Sequence, residues 1–69
     1  MKKVSMDLRG LTPPEPMMRI LSALGEDELE AILPHQPVPL YGMLRERGYE
    51  HEVVRDEPGL CVVRIRRRA

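Results

Sequence analysis

Val4, Met6 and Leu8 alternate with Lys3, Ser5 and Asp7, and this period of two predicts a half-buried strand over residues 3 to 8. After Gly10 the run Thr12-Pro13-Pro14-Glu15-Pro16 marks a helix start, because proline is tolerated where the first backbone N–H groups have no partner within the helix. Met17, Ile20, Leu21 and Leu24 then recur at helical spacing and Gly25 supplies a stop, so a helix is expected over roughly residues 14 to 24. A second strand follows, with Leu29, Ala31 and Leu33 on one face and Glu28, Glu30 and Ile32 on the other, ending at Pro34-His35. Pro37 and Pro39 open a short second helix whose Leu40, Met43 and Leu44 face inward and which Gly48 closes. Tyr49, His51 and Val53 alternate with Glu50 and Glu52 in a third strand, and Asp56-Glu57-Pro58-Gly59 is a turn signal. The fourth strand, at about residues 60 to 66, puts Cys61, Val63 and Ile65 on one face and Leu60, Val62, Arg64 and Arg66 on the other.

The resulting order is βαβαββ. Each strand-helix-strand crossover joins parallel strands, whereas the tight hairpin makes strand four antiparallel to strand three. Inserting strand four between two and three gives an α+β two-layer sandwich: a four-stranded mixed sheet of order 1-2-4-3 with both helices on one face. The C-terminal ends of three strands, both helix N-termini and the 56–59 turn then meet at one end, called the top here. Open α/β sheets bind ligands at such an end.

A chain of 69 residues implies a single domain over 1–69 that buries only about 60% of its unfolded surface. One cysteine, Cys61, excludes an internal disulfide, and the first residues lead into Asp7 and Arg9 rather than into the apolar core of a signal peptide. A cytoplasmic location is expected. Eleven basic residues balance eleven acidic ones, so no overall field draws the chain toward nucleic acid or lipid. No apolar run reaches the roughly 20 residues of a membrane-spanning helix.

The segment Asp7-Leu8-Arg9-Gly10-Leu11-Thr12-Pro13-Pro14-Glu15-Pro16 resembles the signature of TusA-like (SirA-like) sulfur carriers, in which Asp-x-Arg-Gly-Leu leads into Cys-Pro-x-Pro. Pro13 stands where that family has its cysteine. The resemblance implies, for those carriers, a persulfide on a thiol favoured by the positive end of a helix dipole. Proline has no nucleophile, so sulfur-transferase activity is not expected. The opening Arg9 to Pro16, the stretch His35 to Tyr41 and the Leu44 to Gly48 segment are closer to the TusA-related domain-of-unknown-function family 2249. Such domains accompany respiratory, nitrogen-oxide and hemerythrin-like proteins, which implies a redox-linked accessory role and no established catalytic activity.

The candidate site residues are Arg9, Thr12, Pro13, Glu15 and His35, all at the top. His35 follows strand two and is placed either to bind a metal, haem iron or an anion, or to hydrogen-bond the proline-rich backbone around it. Cys61 begins strand four beside strand two. A Cys61–His35 pair would suit a soft metal, yet Cys61 shares a face with Val63 and Ile65, and core packing is the plainer reading. His51 reads as a core or rim histidine. Glu15 complements the helix dipole, and Arg9 pairs with Asp7 or with turn carbonyls. Lys2, Lys3 and Arg66 to Arg68 gather at the bottom, where nucleic acid could be held, although no aromatic platform accompanies them.

These features point first to a non-catalytic interaction module that takes a protein partner or small ligand at the top, with no cofactor. The alternatives are a metal- or haem-binding domain using His35, and nucleic-acid binding at the basic end. Counting alternation across the uncovered sheet face also leaves Ile32, Val54, Leu60 and Val62 outward. These four form a candidate surface for a homodimer.

Overall fold

The computed structural model describes residues 3–68, and Lys2 of the basic group falls outside them. The chain forms β1 (Lys3–Asp7), α1 (Glu15–Ala23), β2 (Glu28–Leu33), α2 (Val38–Glu46), β3 (Tyr49–Glu57) and β4 (Leu60–Arg67). The sheet order is β1-β2-β4-β3, with β1 parallel to β2 and β4 antiparallel to both β2 and β3. This is the α+β two-layer arrangement that the alternation predicts.

Period-two patterning sets the core. Leu29, Ala31 and Leu33 of β2 lie in register with Ile65, Val63 and Cys61 of β4, and all six are buried. Ile20 of α1 and Leu40 and Leu44 of α2 close over them, each fully buried. Truncating a leucine so enclosed costs about 2–5 kcal/mol, because the cavity left behind relaxes only in part. The intervening residues Glu28, Glu30, Ile32, Val62 and Arg64 face away from the helices.

Local chemistry departs from the expected pattern at two places, the end of α1 and the end of β3. α1 ends at Ala23 and the chain turns into extended backbone at Leu24, so Gly25 does not act as a left-handed cap. Gly48 does, with φ of +84° immediately after α2, and its N–H donates to the Arg45 carbonyl at 3.1 Å. β3 runs on to Glu57 rather than stopping near Val53, because Asp56 and Glu57 still pair with Cys61 and Leu60. Only Pro58 and Gly59 form the turn, and Gly59 supplies the positive φ of +79° that the reversal needs.

The extension of β3 carries a bulge. Val53 pairs with Val63 but Arg55, not Val54, pairs with Val62, leaving Val54 without a cross-strand partner. Simple alternation therefore fails beyond Val53. Asp56 comes to the helix-facing side opposite Cys61, and Arg55 takes the outward place beside Val62 that the count gave to Val54.

Candidate functional site

Six of the seven prolines surround one groove at the top. Pro13, Pro14 and Pro16 approach α1, while Pro34, Pro37 and Pro39 lead from β2 into α2. Each group sits where a helix begins and proline's missing N–H removes no helical bond. Between them lies a cavity of about 230 Å³, walled also by Leu11, Met17, Ile20 and Leu33. Its polar side chains are His35 and Gln36.

A wall of prolines offers carbonyl acceptors and few N–H donors, and flat rings at van der Waals distance of whatever enters. The groove is thus suited to an apolar or aromatic group rather than to an anion. Its volume is below the roughly 300–1,000 Å³ of sites that enclose drug-sized molecules. It fits a single side chain or a small fragment.

The structure separates the sequence-predicted residues. His35 and Pro13 line the groove; His35 is exposed, with Nδ1 3.4 Å from the Gln36 carbonyl oxygen, a contact with the neighbouring backbone. Thr12 and Glu15 instead line a shallow depression of about 620 Å³ on another face of α1, with Met18 and Arg19, and Pro13 and Pro14 are shared by both hollows. Glu15 is engaged by Arg19 at 2.9 Å, one helical turn on. Arg9 belongs to neither hollow. Its Nε and Nη2 donate to Asp7 Oδ1 and Oδ2 at 3.0 and 2.8 Å, a bidentate pair that holds the Asp7 carboxyl at a pKa of about 2.

Gln36, Tyr41 and Asp56 are the residues that sequence reading missed. Gln36 Nε2 donates to Asp56 Oδ2 at 2.7 Å, and the Tyr41 hydroxyl donates to Gln36 Oε1 at 3.2 Å. This chain of bonds fastens the loop before α2, one wall of the groove, to the β3–β4 hairpin. The signal for it was hidden by the bulge, which alone turns Asp56 toward the helices. Cys61 is fully buried, and burial, with the charge of Asp56 adding to it, pushes its thiol pKa up. It stays protonated at neutral pH. Burial first, then the negative charges of the Cys61 thiolate and of Asp56, raise the pKa of the Tyr41 phenol, whose ring stacks on His51 with centroids 3.8 Å apart and planes 7° off parallel.

Ion pairs run across the uncovered sheet face and the bottom end. Arg64 lies 3.7 Å from each of Glu28, Glu30 and Glu52 on the uncovered sheet face, where Lys3 meets Glu30 at 3.2 Å. Arg66 is 3.6 Å from Glu50 and Glu52, and Arg67 is 3.7 Å from Glu26, so the basic bottom end is locally compensated by carboxylates. Between these charges and the hairpin, Ile32, Leu60 and Val62 are half-buried and Val54 is 46% exposed.

Among the described residues no three His, Cys, Asp or Glu side chains gather as a metal-ion site, and no helix is long and apolar enough to cross a membrane. No curated protein and no solved structure matches the chain. A family model does match, over residues 5–67, and those residues contain both proline clusters, the Gln36–Asp56 link, the last three residues of β1 and the whole of β2, β3 and β4. The chain therefore belongs to the family described as "Uncharacterized conserved protein (DUF2249)".

Proposed function

We propose that this chain is a non-catalytic interaction module that captures one aromatic or large aliphatic side chain of a partner protein in the proline-walled groove. The observation that carries this reading is the groove itself, with six prolines converging on about 230 Å³ from two helix starts. Converging pyrrolidine rings lose little conformational entropy when a ring packs against them, and a central apolar anchor is the usual energetic focus of a protein contact. The exposed His35 ring offers a hydrogen bond to the partner's backbone beside the anchor, while the Gln36 amide, held by Asp56 and Tyr41, keeps the groove wall in place. Pro13, in the place of a carrier cysteine, contributes packing surface where the TusA-like resemblance would require a nucleophile. The family resemblance further suggests that the partner is respiration- or redox-linked.

Titration of the full chain with indole and with N-acetyl-phenylalaninamide, followed by methyl and histidine-ring NMR signals, tests this reading. Saturable shifts confined to Leu11, Met17, Ile20 and His35, abolished by Met17→Lys while the spectrum stays dispersed, are expected. Shifts absent from these residues, or unaffected by Met17→Lys, would contradict it.

A further inference from the structure

Among the described residues β1 is an edge strand with an unpaired side. The Leu8 N–H donates to the Ile32 carbonyl at 2.8 Å, so by alternation the even-numbered residues of this strand address β2. The N–H and C=O groups of Lys3, Ser5 and Asp7 point to the free edge. Val4 pairs with buried Leu29 and so faces the helix layer, yet it is 40% exposed. Met6, two residues on, is half-buried.

The two sheet edges differ in how they are protected. β3 is bulged and carries Glu50, Glu52, Asp56 and Glu57, so antiparallel pairing of β3 with itself sets carboxylates against one another. β1, of sequence Lys-Val-Ser-Met-Asp, has neither bulge nor proline. Its charges are of opposite sign and equidistant from Ser5.

We infer that β1 is a self-association edge that pairs antiparallel with β1 of a second copy about a two-fold axis at Ser5. In that register Lys3 faces Asp7 of the second copy, Ser5 faces Ser5, and each pair exchanges both backbone hydrogen bonds. Val4 falls opposite the second copy's Met6 at a close, non-hydrogen-bonded position on the helix side, continuing the core across the junction. Lys3 now meets the half-buried Glu30 at 3.2 Å and Asp7 meets Arg9 at 2.8 Å, and the second copy's Asp7 and Lys3 add an opposite charge beside each pair. The two copies form one continuous sheet of eight strands, leaving both proline-walled grooves free.

Sedimentation velocity of the full chain from micromolar to millimolar concentration tests this. The wild type dimerises; Lys3→Asp and Asp7→Lys each weaken dimerisation about tenfold or more by creating like-charge pairs, and mixing the two variants restores a heterodimer. Ser5→Pro, which removes an N–H only from the free edge, yields a monomer with unchanged circular dichroism. A wild type monomeric at every concentration overturns the proposal. So does a dimer indifferent to both charge reversals, or a mixture that forms no heterodimer although each variant is folded.

Discussion

Gln36 donates a 2.7 Å hydrogen bond to Asp56 across twenty residues of chain, joining the loop that walls the groove to the hairpin that closes the sheet. The bond sits on an exposed surface but fixes a backbone that prolines have already stiffened. Either Gln36→Ala or Asp56→Ala should lower stability by about 0.5–1.5 kcal/mol, the usual net worth of one hydrogen bond. Urea unfolding of both single variants and the double variant checks this. The double loses less than the sum, because both changes remove one shared bond.

The Arg9–Asp7 pair makes a pH prediction with a definite sign. The Asp7 carboxyl titrates at about 2 in the folded chain, below its unfolded value of about 3.9. A depressed folded pKa means that the contribution to stability is present above the unfolded value and is lost as pH falls toward about 2. Carboxyl NMR titration should therefore show Asp7 as an early outlier, and Arg9→Ala should return it to the ordinary carboxylate range. A wild-type midpoint near 4 would contradict the bidentate geometry.

Cys61 is enclosed between Leu33 and Asp56 in the register of the sheet, with its thiol pKa raised. Iodoacetamide should react with it at neutral pH only at the rate of local or global opening, and at the ordinary thiol rate in denaturant. Fast alkylation of the native chain would mean that the thiol is accessible at the top.

His35 is exposed and makes one long contact with neighbouring backbone. His35→Ala should cost no more than about 1 kcal/mol in thermal unfolding, as surface substitutions away from buried networks do. The same variant should weaken capture of indole in the groove. Loss of stability without loss of capture would make the ring a structural element.

Much of the fold was legible because burial follows strict alternation where one sheet face is covered. Leu29, Ala31 and Leu33, and Cys61, Val63 and Ile65, declare their face by period alone, and the proline clusters announce both helix starts. The strand end at Glu57 was not legible, since Asp56 and Glu57 have turn-forming chemistry and pair only because β4 lies beside them. One bulged residue, Val54, then inverts the facing of everything after it. The site was half legible for the same reason. Pro13 and His35 were placed at the top by chain order, but whether they share a hollow with Thr12 and Glu15 depends on which face of α1 each occupies. Gln36 and Asp56 meet through a tertiary contact that no local pattern encodes.

The proline-walled groove, proposed above as the partner site, and the open sheet face each present an exposed valine. Val38 lies between Pro37 and Pro39 of that wall and is 60% exposed, whereas Val54 is 46% exposed on β3. Placing a benzophenone photocrosslinker at position 38 or at position 54 of the full chain in its native cell compares the two surfaces directly. A discrete adduct is expected from position 38 that disappears when Met17→Lys is added, with little from position 54. An adduct from position 38 that survives Met17→Lys at full yield, or adducts only from position 54, would contradict it.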